Sequence, residues 1–568
     1  MAMFVLHGKT LAAGVAIGRA RVLSTGVRDA PRRRIAPAEV AVELQRLDAA
    51  IARVQAELQM IAQDLPPDAP VEAAAMLDVH AQMLVDSTLI EGARARIRKQ
   101  ACNAEWAYAA QAEELVEQFH AFEDPYLRER VVDVRQIVDR VLRALLGSGP
   151  QQPLAGEALE SLVVIAAEPA PADLLLWRNA CAFALEIGGT ASHAAIVARG
   201  LAKPTVVGLH DAASLVRDDD LVVVDGDAGV LVVNPDAALL EQIEQRRTEH
   251  LQDRARRRSL LPLPAATRDG VPIVLQGNIE LPSEAAGALA EGAEGIGLLR
   301  SEFLFLNRAQ LPDEDEQYEA YREVVRAMAG RPVTIRTIDV GADKALPRTG
   351  IESVHLTGTH PAENPALGRR AIRFCLGEPE LFMTQLRAIL RASAHGPVRL
   401  LIPMLTHPGE MAATRALLAE AREALRMRGE PFDPAMLVGG MIEVPAAAIV
   451  ADVFARELDF LSIGTNDLTQ YTLAIDRTDD SVAGLYDPSH PAVLRLIART
   501  IAAARRAARP VAVCGEMAGD PALTAVLIGL GLREFSMNPA ALLRVKQRLL
   551  GLTLAEARQA ARHALRFD

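Results

Sequence analysis

Cysteine is scarce in this chain: 568 residues contain four, Cys102, Cys181, Cys375 and Cys514, far apart and without a C-x-x-C pair. A disulfide framework and a cysteine-ligated zinc site are therefore not expected. Two tryptophans and six tyrosines are too few for the aromatic platform on which single-stranded nucleic acid stacks. Positive charge is also in deficit, 61 Lys and Arg against 73 Asp and Glu, and phosphate-backbone binding needs clustered positive charge. Nucleic acid is thus no general partner, although local arginines still suit a small anion. No apolar run reaches the roughly 18 residues of a membrane span, and the opening MAMFVLHGKT is too short in apolar residues for a signal peptide. A cytoplasmic protein with no membrane insertion is expected.

What is present is half hydrophobic and about a quarter charged, in a length that suggests roughly three or four domains. Residues 37–146 carry a helical pattern, with Leu44, Leu47, Ile51, Val54, Leu58 and Ile61 at three- and four-residue intervals. Strand-like runs flank it: GVAIGRARVL before, then SLVVIAAE, CAFALEIG, KPTVVGL and DLVVVDGDAGVLVVNP after. The pattern predicts a β/α domain from residues 1–36 and 147–235, interrupted by the helical segment, with a polar helical linker over 236–261. From residue 262 to 568 eight short apolar runs alternate with amphipathic ones: VPIVLQG, EGIGLLR, PVTIRTI, VRLLIPM, MLVGGMI, LDFLSIG, PVAVCGE and GLREFSM. That count over about 300 residues is the arithmetic of a (β/α)8 TIM barrel. The fold class expected is α/β, a C-terminal barrel and an N-terminal β/α domain with an inserted helical subdomain.

Barrels of this kind work at the C-terminal ends of their strands. There the runs place Arg300, Arg336 with Asp339, Glu443, Asn466 with Asp467, and Cys514. Taken singly, an Arg beside an Asp reads as a surface pair and a cysteine in VAVCGE as a small buried hydrophobe. Together they answer one demand. Arg300, Arg336 and Arg477 can grip a compact anion bidentately, and Glu443 and Asp467 on neighbouring strands offer hard oxygens to a Mg²⁺ that shares its shell with a substrate phosphate. Such a rim fits a small phosphorylated carboxylic acid. Cys514 adds a proton donor if its pKa suits.

The run GGTASHAAIVARG, residues 188–200, holds His193 after two glycines. Ser192 is a plausible N-cap there, which would set the ring in a first helical turn where free N–H groups favour an anion. From the run alone a structural histidine at a helix start is the reading to prefer, and the rest of the chain has to overturn it.

EGAEGIGLLRSEFLF, TIRTIDVGADK, ENPALGRRAIR, MIEVPAA, FLSIGTNDLTQYTLAIDR and VAVCGEMAGD, in this order, resemble successive signatures of enzyme I, the phosphoenolpyruvate-protein phosphotransferase of bacterial sugar uptake. The glycine-rich run is similar to that family's phosphohistidine loop, with His193 at the phosphorylated position. The resemblance implies phosphoenolpyruvate held by Arg300, Arg336, Arg477, Asn466 and Asp467, with Arg369 or Arg370 supporting the phosphate. It implies Mg²⁺ on Glu443 and Asp467, attack by His193, protonation by Cys514 to give pyruvate, and onward transfer to a histidine of HPr or a homologous carrier docked on the helical insertion. It also implies a homodimer through the barrel. Because His193 would have to reach both the rim and the carrier, the polar helical connector after Pro235 suggests a phosphohistidine domain that swings between them. Two departures are visible: Thr190 and Ala191 stand where the family has Arg-Thr, and RTGIESVHLTGTHPA is longer than the usual connection. Pyruvate phosphate dikinase or phosphoenolpyruvate synthase would need a further nucleotide-binding domain that the chain has no room for. A nitrogen-type regulatory phosphotransferase and a binding module with a degenerate site remain the other readings.

Overall fold

A computed structural model describes residues 3–23, 32–63, 77, 80–84, 87–121, 125–147, 159–167, 169, 171–186, 197–198, 201, 203–305, 310–340, 365–476 and 482–566. The chain divides into two compact units, Met1–Leu251 and Gln252–Asp568.

In the first unit eight strands among the described residues form one mixed sheet: β1 (Phe4–His7), β2 (Lys9–Ala12), β3 (Val15–Leu23), β4 (Leu162–Ala166), β5 (Ala182–Leu185), β6 (Thr205–Val207), β7 (Leu221–Asp225) and β8 (Val230–Val233). Their order is β1-β8-β7-β3-β4-β5-β6-β2, with β3 to β6 mutually parallel. The continuous apolar run of β4 follows from burial on both faces. Val163 and Ile165 pack with Val222 and Val224 on one side, and Val164 and Ala166 face the other way. β1 and β2 lie in a stretch where sequence pattern predicts no strand; at four residues each they are too short for alternation to register, and pairing to β8 and β6 defines them.

Between β3 and β4 stand the helices Val40–Gln63, Ser87–Gln100, Ala104–Ala121 and Pro125–Leu145. Leu47, Ile51, Val54, Leu58 and Ile61 are buried as their spacing predicts, whereas Leu44 is only partly covered and Glu43 is buried in its stead. Glu43 tolerates burial because it accepts from Arg46 at 2.8 Å and from the Ala104 N–H at 2.9 Å. The helical core is continuous with the Val164 face of the sheet. Arg140, only 3% exposed at its side chain, pairs with Glu57 and Asp173 and so ties two of these helices to the helix Pro171–Leu176 after β4. The polar segment after Pro235 is a helix, Ala237–Arg258.

The second unit is a closed parallel barrel of β9 (Val274–Ile279), β10 (Ile296–Arg300), β11 (Val333–Arg336), β12 (Val398–Ile402), β13 (Leu437–Ile442), β14 (Phe460–Ile463), β15 (Val511–Val513) and β16 (Glu534–Met537). Every strand falls within one of the eight apolar runs or extends it by two residues. The lumen is packed by Leu298, Leu401, Met441, Phe460 and Cys514. Outside it, the helix Pro379–Ala392 buries Phe382, Gln385, Leu386 and Ile389, a helical stripe with one polar member. No described helix is long and apolar enough to cross a membrane. RTGIESVHLTGTHPA lies outside the described residues.

The C-terminal helices Pro521–Leu530 and Leu554–Ala564 approach so closely at Gly529 that a Cβ there would press on the Ala557 carbonyl oxygen and stand 2.8 Å from the Ala561 Cβ. Because the obstacle is backbone, Gly529→Ala should lose about 1–3 kcal/mol in urea unfolding of the barrel. An unchanged midpoint would mean that the two helices separate without cost.

Candidate functional site

Strand direction puts the polar residues at one end of the barrel. Arg300 and Arg336 close β10 and β11; Glu443 and Cys514 follow β13 and β15 by one residue; Asn466 and Asp467 open the helix Thr465–Leu473 after β14. Asp339, whose side chain is 2% exposed, is the hub: it accepts from Arg336 at 3.1 Å and from Arg370 at 2.7 and 3.1 Å. Its own N–H donates to Glu302 Oε1 at 2.7 Å, and the same oxygen accepts from Arg336 Nη2 at 2.9 Å. Arg370 reaches on to Asp467 Oδ2 at 3.1 Å and to the Tyr471 hydroxyl at 3.2 Å. Arg369 instead pairs with Glu378 at 2.8 Å, so Arg370 is the member of the pair that belongs to the rim.

Burial works against the charge on Arg336 and Arg370, but the surrounding carboxylates outweigh it and hold both guanidinium groups firmly protonated. Glu443 suffers the opposite: burial first, then the nearby charges of Asp467 and Asp339, push its carboxyl well above the ordinary range. The Met404 N–H donates to its Oε1 at 2.6 Å, and Gly464 keeps space at Oε2, where any Cβ would stand 2.6 Å away. Cys514 is 3% exposed, and burial pushes its thiol up to about 11. It is therefore a protonated acid at neutral pH, not a nucleophilic thiolate.

Sequence reasoning missed the residues that aim these groups. Gln385, fully buried on an outer helix, accepts from the Ile338 N–H at 3.0 Å and donates to Ser301 at 3.0 Å and Tyr321 at 3.1 Å. It thereby fastens the segment after β10 to the segment after β11. Its only sequence signal is an amide inside an apolar stripe. Glu302, two residues after Arg300, was likewise legible only as a nearby acid. Asn466 donates to Glu516 at 3.2 Å and accepts from the Glu516 N–H at 3.0 Å, and Arg300 pairs with the exposed Glu280. His193 and Arg477 lie outside the described residues.

Among the described residues, three guanidinium groups stand with five carboxylates: Arg336 and Arg370 with Glu302, Asp339, Glu443 and Asp467, and Arg300 with Glu280. Such a set is two charges negative if all are ionised. Two of its acids, Glu443 and Asp467, are hard-oxygen donors whose mutual repulsion a divalent cation would relieve, so the residues fit Mg²⁺.

Family models match in three places: PEP-utilising enzyme, N-terminal, over residues 7–130; PEP-utilising enzyme, mobile domain, over 159–229; and PEP-utilising enzyme, PEP-binding domain, over 254–554. Among whole proteins, the phosphoenolpyruvate-protein phosphotransferase of Cupriavidus necator is 53% identical over 557 residues, 96% of this chain and 94% of that one. Those of Geobacillus stearothermophilus and Bacillus subtilis are 41% and 37% identical over 555 residues, each spanning 97% of this chain and 94% and 95% of theirs.

The burial of Asp339 makes it far more costly to neutralise than an exposed acid. Asp339→Asn strips a buried charge from between two partly buried guanidinium groups and should cost roughly 3–5 kcal/mol of barrel stability in denaturant titration. Glu280→Gln, at the exposed Arg300 pair, should cost under about 1 kcal/mol. Equal losses would refute the hub.

Proposed function

The chain belongs to the phosphoenolpyruvate-protein phosphotransferase family, enzyme I of the bacterial phosphotransferase system, and from that premise we propose how its own residues carry phosphoryl transfer. Phosphoenolpyruvate, with about three negative charges at neutral pH, lies on the barrel rim with its phosphate and carboxylate against Arg300, Arg336, Arg370 and Arg477. Asn466 and Asp467 complete the substrate contacts, with Asn466 exchanging its bonds to Glu516 for bonds to substrate. Glu443 and Asp467 would hold Mg²⁺, which when bound supplies Lewis-acid stabilisation of the phosphoryl oxygens.

His193 attacks phosphorus in line: an N–P bond forms, the P–O bond to the enol oxygen breaks, and the electron pair stays on the enolate. Cys514 then gives its proton to the enolate carbon, yielding pyruvate. A thiol held protonated by burial is suited to that role. Phospho-His193 passes its group to a histidine of HPr or a homologous carrier bound at the helical insertion. The domain boundaries at 36, 147, 235 and 261, pairing of two chains through the barrel, cytoplasmic location and service of sugar uptake belong to the same reading and rest on the family relation. The observation that carries it is the buried Asp339–Arg336–Arg370 network, which fixes guanidinium groups where the strands end.

The test is labelling. Incubated with phosphorus-labelled phosphoenolpyruvate and Mg²⁺, the full chain should take up acid-labile, alkali-stable label, and His193→Ala should take up none. Undiminished label on His193→Ala would remove that residue from the reaction, and an unlabelled wild type would support a degenerate site.

A further inference from the structure

Ser462 lies on β14 directly opposite Ala512 of β15, two residues before Cys514. Side chains alternate along a strand, so Ser462 shares the luminal face with Phe460, and Phe460 and Cys514 belong to one cluster with Leu298, Leu401 and Met441. The serine is 2% exposed, and its hydroxyl is buried without a nitrogen or oxygen partner. A buried hydroxyl normally finds one, because leaving it unpaired costs about 1–3 kcal/mol. The polar group that faces it is the Cys514 thiol, whose ionisation it eases against the effect of burial. Cys514 is itself anchored, its N–H donating to the Ile463 carbonyl at 3.1 Å and its Sγ to the same oxygen at 3.6 Å.

We propose that Ser462 is a positioning residue for the protonation step, its hydroxyl kept unpaired so that it donates to the sulfur when Cys514 loses its proton. This rests on Cys514 being the acid. In that step the S–H bond breaks and a C–H bond forms at the methylene carbon of the enolate. The enolate electron pair makes the new bond while C2–O becomes the ketone, and the S–H pair remains on sulfur as a thiolate. The apolar side chains of Leu298, Leu401, Met441 and Phe460 offer that thiolate no hydrogen bond and the neighbouring Ile463 carbonyl repels it, while Arg336 and Arg300 favour its charge. The Ser462 hydroxyl is the donor that strand pairing brings to it. Solvent later returns the proton.

Rapid-quench kinetics with labelled phosphoenolpyruvate and Mg²⁺ separate phosphohistidine formation from pyruvate appearance. Ser462→Ala should slow pyruvate appearance about 10- to 100-fold, the range for a hydrogen bond to a charged group. The KM for phosphoenolpyruvate and the thermal midpoint should be unchanged, since the deleted hydroxyl holds nothing else, and Ser462→Thr should recover most of the rate. Wild-type pyruvate release from Ser462→Ala beside a slow Cys514→Ala would overturn the role of Ser462 and leave Cys514 as the acid. Wild-type release from Cys514→Ala would overturn the acid itself. A fall in stability and a rise in KM in step with the rate loss would reduce Ser462 to packing and overturn the proposal.

Discussion

A carboxylate buried between two guanidinium groups cannot be given up, and the rim of this barrel is organised around that constraint. Asp339 is shielded from water, so its charge has to be met by Arg336 and Arg370, and each of those has to be oriented by something else. Glu302 orients Arg336, Asp467 and Tyr471 orient Arg370, and Gln385 holds the backbone at Ile338 beside Asp339. In the proposed reaction the guanidinium groups that meet the anion are thus fixed in part by groups that do not, Glu302, Tyr471 and Gln385. Rigid placement of charge before substrate arrives is what gives an electrostatic site its strength.

Among the described residues the same arrangement leaves acid in excess. Glu443 is crowded by Asp467 and Asp339 in a dry environment, while Arg336 and the Met404 N–H act to keep it ionised. In the proposed reaction that frustration is useful, because a divalent cation and a phosphorylated carboxylate each correct what the other would worsen. The thiol follows a different logic: Cys514 faces a largely apolar lumen, which keeps its proton in place, and in the proposed reaction it is given up to a stronger base, the enolate.

How much of this was legible in the sequence depends on whether a signal was local. The barrel strands announced themselves as apolar runs because both of their faces are covered, and Arg300, Arg336, Glu443, Asp467 and Cys514 were conspicuous at the ends of those runs. β1 and β2 were not, since four residues carry too little pattern and pairing with distant strands makes them. Leu44 and Glu43 exchanged their expected places because a carboxylate with two donors is as buriable as a leucine. Gln385, Glu302, Tyr471 and Ser462 escaped notice for one reason: each acts through a partner from 34 to about 100 positions away, and single-sequence spacing says nothing of that.

The central claim is that the rim binds metal and anion as a coupled pair. Calorimetric titration of phosphoenolpyruvate into His193→Ala, which keeps the rim but lacks the proposed acceptor, tests it most directly, once with saturating Mg²⁺ and once with chelator. Linkage requires reciprocal effects, and the account predicts at least about tenfold tighter phosphoenolpyruvate binding with Mg²⁺ and equally enhanced Mg²⁺ binding with phosphoenolpyruvate. Equal affinity in the two titrations would contradict it.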